Sequence, residues 1–166
     1  ATDNQAATDY DKKWIPGQWK VPEAYDNPAS NDPWYFSAIR EANYFLETVV
    51  PRFEKGEIEG SETNIKHYIG EMYFLRAKNY LSKLETFGDF PIIKNTLPDE
   101  SASLIQASKR EPRHKVARFI LEDLDLAIGL LTNTISGGKN RITQNAALLL
   151  KSRAALYEAS WLTYHK

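Results

Sequence analysis

In four stretches of this chain the apolar side chains return every three or four residues, the spacing that gathers them on one face of an α-helix. Phe36, Ile39, Leu46 and Val50 form the first stripe, with Asn43 inside it. Ile65, Tyr68, Ile69, Met72, Tyr73, Tyr80, Leu84 and Phe87 form the second. Val116, Phe119, Ile120, Leu124, Ala127, Ile128 and Leu131 give the most regular one, and an alanine- and leucine-rich run from Ala146 to Tyr157 the last. Each stripe must find a partner, so the chain has to pack helix on helix. No stretch alternates as a half-buried strand would, and Ile92-Ile93 is too short to count.

Local signals place the ends. The spacing predicts a first helix from about Trp34 to Val50, with Asp32 as N-cap, Pro33 at the first position and Pro51 as terminator. Ser61 or Thr63 can cap the second helix, and Gly88 sits where a C′ glycine belongs. Residues 88–111 read as a long loop, longer than an ordinary connection. A third helix starts near Pro112, with Ser108 to Glu111 matching a capping box. A turn around Gly137-Gly138 leads to Thr143, the cap of a fourth helix that runs through at least Trp161. That helix is apolar on most sides and is expected to be buried between others. Residues 1–33, broken by Pro16-Gly17, Pro22, Asn27-Pro28 and Asp32-Pro33, read as irregular.

The expected fold is therefore all-α: tetratricopeptide-like helical hairpins, an α-α superhelix with irregular loops. Ile69-Gly70-x-x-Tyr73 fits the Leu-Gly-x-x-Tyr core of such a repeat, where a small residue lets a neighbouring helix approach. The 166 residues suit one domain or a piece of a larger one, 1–33 an aromatic irregular segment and 34–166 a helical core. The last residues, Trp161 to Lys166, carry no helix terminator, which reads as the amino-terminal portion of something longer. A formal net charge of −1 excludes a field that would favour nucleic acid. The absence of cysteine removes disulfides, thiolate metal sites and cysteine nucleophiles.

Three segments resemble the SusD/RagB family. The first is Gly70-Glu71-Met72-Tyr73-Phe74-Leu75-Arg76-Ala77, followed by Phe87-Gly88-Asp89-Phe90-Pro91. It is similar to the family's Gly-Glu-Ala-x-Phe-Leu-Arg-Ala helix leading to Tyr-Gly-Asp-Val-Pro. The second is Arg110-Glu111-Pro112-Arg113 with Glu122-Asp123-Leu124-Asp125-x-Ala127. The third is Arg141-Ile142-Thr143-Gln144-Asn145-Ala146-Ala147-Leu148, running on to Lys151-Ser152-Arg153-Ala154. Phe36-x-x-Ile39-x-x-Ala42-Asn43 also fits the family's first helix. Met72, Phe36, Phe87, Phe90 and Gln144 depart from the usual residues, mostly by volume-tolerant exchange. The resemblance implies a glycan-binding protein on the extracellular face of the outer membrane, capturing oligosaccharide and passing it to a TonB-dependent, SusC-like transporter. It implies membrane attachment only through a lipid anchor; the family's lipidated cysteine is not in this chain. It implies no enzyme and no cofactor. Two alternatives stand beside it: a peptide-binding uptake component, and a helical-repeat scaffold for a protein partner.

Sugar recognition needs flat apolar faces for C–H edges and polar groups for hydroxyls. Trp14, Trp19, Asp26, Asn27, Trp34 and Tyr35 have that chemistry and are the candidate ligand-binding residues. Trp34, opening a helix, has a structural role as its ready competitor. No catalytic set is expected. Glu122, Asp123 and Asp125 read as one solvated helix flank, not the opposed carboxylates a glycosidase needs. His67 and Glu71 lie four apart and could face a metal, but no third ligand is evident, and an exposed pair is the plainer reading. Glu71 and Arg76 read as packing and loop-anchoring residues. Asp89 reads as a turn residue.

Overall fold

A computed structural model describes residues 34–134 and 140–165, which lie within the compact unit Pro33–Lys166. Five helices run in sequence: α1 (Ser37–Glu54), α2 (Glu62–Phe87), α3 (Ser101–Ala107), α4 (Arg113–Leu130) and α5 (Gln144–Tyr164). Among the described residues there is no strand, only an isolated antiparallel bridge between Phe90 and Glu111. The four long helices form tetratricopeptide-like hairpins in which each packs on the next: α1 on α2, α2 on α4, α4 on α5.

The predicted stripes make the core. Ile39, Tyr80, Leu84, Val116, Ile120 and Leu124 are all within 1% of full burial. Each buried aliphatic of this kind contributes about 1.5–3 kcal/mol by leaving water. Aromatic edges lock the layers, Tyr80 meeting Phe119 edge-on with centroids 4.9 Å apart. Gly70 is needed for the α2–α4 approach: a Cβ there would lie 3.0 Å from Leu130 Cβ and 3.0 Å from Leu131 Cγ. The tetratricopeptide-like glycine therefore performs the packing role its motif implied.

Several boundaries differ from expectation. The first helix starts at Ser37, with Phe36 as an N-cap that makes no side-chain cap bond. Trp34 and Phe36 instead stack their rings on Phe87 and Phe90 (centroids 4.0 and 5.1 Å), so aromatic burial takes the preceding turn. Asp32 and Pro33 lie outside the described residues. Pro51 does not end α1, which continues to Glu54. In the last turn proline costs one donor only, and its own carbonyl still accepts from Lys55 N at 3.2 Å. The long loop contains a helix, α3, that burial patterns could not reveal, because none of its residues is buried.

The capping box before α4 does not form. Ser108 Oγ donates to Ile105 O at 2.7 Å, and Glu111 pairs with Lys115 at 2.9 Å. Asp89 caps α4 from across the bridge, accepting from Arg113 N at 2.8 Å. The turn expected at Gly88 and the cap expected at Thr143 are both present. Gly88 has φ 72°, and Thr143 Oγ1 accepts from Ala146 N at 3.3 Å. The last helix is not buried between others. Ala147, Ala154 and Glu158 face α4, while Leu149 and Leu156 are 74% and 70% exposed.

Candidate functional site

The residues that follow Gly88 would be an unsupported loop but for a buried polar network beneath them. Backbone groups in a partly buried loop must find partners, and here helix side chains supply them. Asn43 of α1 donates through Nδ2 to Ile93 O (2.9 Å) and Asn95 O (3.3 Å). Tyr80 of α2 uses its hydroxyl twice: it donates to Ile93 O at 3.1 Å and accepts from Ile93 N at 2.8 Å. Glu47 accepts from both Thr96 N (3.0 Å) and Thr96 Oγ1 (2.7 Å).

Arg76 ties the network together. Its Nε and Nη2 donate to the two oxygens of Asp123 at 2.7 and 2.8 Å, a bidentate pair between α2 and α4. Its Nη1 donates to Asn43 Oδ1 at 2.9 Å and to Lys94 O at 3.3 Å. Phe119 and Tyr73 lie against the guanidinium, 5.2 and 5.4 Å from ring centroid to Cζ. Burial pushes the Asp123 carboxyl above its ordinary range, and the Arg76 bonds pull it back only in part. Burial also pushes the Tyr80 hydroxyl up to about 12. Asp123 is thus 2% exposed and paired, not part of a solvated flank. It faces α2 at the one position where α2 carries an inward guanidinium.

A second anchor holds the connection between α4 and α5. Glu71 accepts from Ile142 N at 3.1 Å and pairs with Arg141. His67 is fully buried; its Nδ1 meets Thr132 N at 3.3 Å, and its Nε2 lies 3.6 Å from Glu71. The pair is therefore turned inward and not exposed as expected. Glu71 is committed to Arg141 and the loop backbone, and no group of three or more metal-capable side chains occurs among the described residues.

The pinned loop forms one wall of a cleft of about 380 Å³ between the start of α1, residues 91–97 and α3. Its walls are Phe36, Ile39, Pro91, Ile93, Leu97 and Leu104, with Arg40, Asn95 and Ser108 supplying polar groups. None of its lining residues is a carboxylate. Such a surface offers apolar walls and a few polar groups to a ligand.

Of the six predicted site residues, Trp14, Trp19, Asp26 and Asn27 lie outside the described residues. Trp34 is at the cleft, but its ring stacks on Phe87 at 4.0 Å and carries the Arg110 guanidinium at 4.9 Å. Tyr35 is 39% exposed, and its carbonyl accepts from Lys83 Nζ at 3.0 Å. The cleft and α3 were not legible from periodicity. Two sequence signals pointed to the network: Asn43, a polar residue at a core position of an apolar stripe, and Arg76, read as a packing and loop-anchoring residue.

An array of helical hairpins with a pinned loop walling an apolar cleft is a helical-repeat architecture. Over residues 1–156 the chain matches the SusD-like family described as "Starch-binding associating with outer membrane", and it belongs to that family. Among solved structures it is similar to a SusD-like protein from Bacteroides fragilis NCTC 9343, with 29% identity and TM-score 0.66, covering 81% of this chain and 25% of that one. It shares its fold with a laminarin-binding SusD-like protein (24% identity, TM-score 0.59, 72% of this chain and 24% of that one). It also shares it with surface glycan-binding protein A from Bacteroides uniformis (20% identity, TM-score 0.59, 75% and 26%). The chain thus spans about a quarter of the length of these structures. No curated protein matches.

Proposed function

We propose that this chain captures oligosaccharide at the extracellular face of the outer membrane and delivers it to a TonB-dependent, SusC-like transporter, by binding without turnover. The observation that carries this reading is the family match over residues 1–156, a family described as starch-binding and associating with the outer membrane. Relatives that bind laminarin or surface glycans support it. No described helix is long and apolar enough to cross a membrane, so attachment in this reading rests on a lipid anchor.

In this reading Trp14 and Trp19 provide the stacking faces, Asp26 and Asn27 the hydroxyl partners, and Tyr35 an exposed edge. Trp34 serves as a buttress, because Phe87 and Arg110 already occupy its ring. Isothermal titration against a panel of starch- and laminarin-type oligosaccharides tests it. Binding by the wild type should fall at least tenfold in Trp14→Ala or Trp19→Ala and little in Trp34→Phe. Release of shorter sugars by purified protein would end the non-enzymatic reading.

One observation favours a second reading, peptide as cargo. The cleft beside the loop is walled mostly by apolar side chains, Ile39, Ile93, Leu97 and Leu104 among them with Trp34 and Phe36, and the aliphatic ones suit apolar residues better than sugar hydroxyls. The same titration with apolar tetrapeptides separates the two, Leu104→Glu being the informative variant.

A further inference from the structure

The cleft beside the pinned loop has one loosely held wall. Glu47 fixes the loop as far as Thr96, and the bridge from Phe90 fixes it again at Glu111. Between those points the hydrogen bonds of the described chain stay within the segment, as from Leu104 N to Glu100 O and from Ser108 Oγ to Ile105 O. α3 rests against none of the four long helices, and none of its residues is buried. Leu104 nevertheless faces the cleft while remaining 43% exposed. A segment with so few buried contacts opens at little cost in free energy.

The opposite wall decides what the cleft can hold. Asn43 lines it, but its amide donates to Ile93 O and Asn95 O, and its Oδ1 accepts from Arg76. The Ser108 hydroxyl donates to Ile105 O. Trp34 and Phe36 already stack their rings on Phe87 and Phe90. Sugar hydroxyls buried here would leave water without finding partners, which is unfavourable for each of them. An apolar group loses nothing of the kind. Arg40 is the exception among the polar groups. It lines the cleft, is exposed, and its guanidinium makes no ion pair or hydrogen bond among the described residues. With no carboxylate in the lining, the one formal charge there is positive and unanswered.

We propose that the cleft is a binding site for a ligand with an apolar body and one carboxylate, the body between Ile93, Leu97 and Leu104, the carboxylate on Arg40, and α3 closing as the outer wall. The volume of about 380 Å³ lies within the range of small-ligand clefts. A guanidinium suits the charged end, because its fork meets both oxygens of a carboxylate. Two sources present this chemistry: a free apolar acid and the C-terminal residue of an apolar peptide. The inference deepens the peptide reading of this cleft, on which it rests for a peptide source, and does not draw on the glycan reading.

Isothermal titration with N-acetyl-leucine, N-acetyl-leucinamide and a leucine-ended apolar tetrapeptide in acid and amide forms is the test. Each acid should bind the wild type roughly tenfold or more tighter than its amide, the worth of a hydrogen bond to a charged group. Arg40→Gln should bring the acid down to the amide, and Leu104→Glu should abolish binding of both. Arg118→Gln, which removes an exposed arginine of α4, should change neither. All three variants should keep the wild-type melting temperature, because each replaces an exposed side chain. Saturation with the acid should slow amide hydrogen exchange across α3, and unchanged exchange there would refute the closing wall. A peptide acid that binds more tightly than N-acetyl-leucine supports the peptide source, and equal affinity supports the free acid. Equal binding of acid and amide by the wild type overturns the proposal and leaves the peptide reading standing; no binding of either overturns both. Acid binding that survives Arg40→Gln also overturns it, as does oligosaccharide binding that Leu104→Glu abolishes, which would make the cleft a sugar site.

Discussion

Replacing Asp123 with alanine should be the most damaging single change in the helical body. Arg76 and Asp123 are 6% and 2% exposed, and two hydrogen bonds of 2.7 and 2.8 Å join them. Asp123→Ala leaves a buried guanidinium with two donors and a full charge unmet. Breaking such a pair from one side costs roughly 3–5 kcal/mol. At about 2–4 °C per kcal/mol for a chain of this size, the melting temperature should fall by roughly 6–20 °C. A buried pair of this kind, unlike its one-sided disruption, is often close to neutral against apolar residues of similar volume. Burial raises the Asp123 carboxyl despite the Arg76 bonds, the direction expected when desolvation weighs on the charged form. Arg76→Met with Asp123→Leu should therefore be far milder than the single change. Its residual cost, about 1–3 kcal/mol, comes from Asn43 Oδ1 and Lys94 O losing their donor. Thermal and urea unfolding of the wild type, both single variants and the double variant, followed by circular dichroism, complete the cycle. The reasoning fails if Asp123→Ala stays within about 1 kcal/mol of wild type, or if the double variant is as unstable as the single one.

Other consequences can be measured in the same way. The Tyr80 hydroxyl is held protonated to about 12 in the fold against 10.0 ordinarily. The unfolded chain therefore loses that proton first, and stability should decline by roughly 2–3 kcal/mol as pH rises from about 10 to about 12. Tyr80→Phe should be less stable at neutral pH but should lack this part of the alkaline decline, as urea titrations at both pH values would reveal. Gly70→Ala should cost about 1–3 kcal/mol, because its methyl meets Leu130 and Leu131 at 3.0 Å. Gly56→Ala meets nothing within 4 Å and should cost only its left-handed backbone, φ 72°. Glu71→Ala should expose the Ile142 amide to hydrogen exchange, whereas Glu71→Gln, which keeps an acceptor, should retain protection; equal exchange in both would deny Glu71 its anchoring role.

The four long helices, their hairpin order and the glycine between α2 and α4 could be read from periodicity and motif alone. Those features depend on spacing along one helix, and spacing is a property of the sequence. Gly88 and Thr143 were legible for the same reason, since a helix end is satisfied within a turn of itself. What tertiary structure decided is every feature whose partner lies far along the chain. Asp123 sits among acidic neighbours and reads as solvated until α2 places Arg76 against it, 47 residues away in sequence. His67 changes meaning in the same way, because a buried polar group is defined by the donor or acceptor opposite, whereas Glu71 and Arg76 anchor loops as their motif implied and only their partners had to come from packing. The Asp89 cap, the shelter of Trp34 under Phe87 and Arg110, the cleft beneath α3 and the unmet face of α5 belong to this second kind. Periodicity says that a face is apolar; only packing says which apolar faces have been covered.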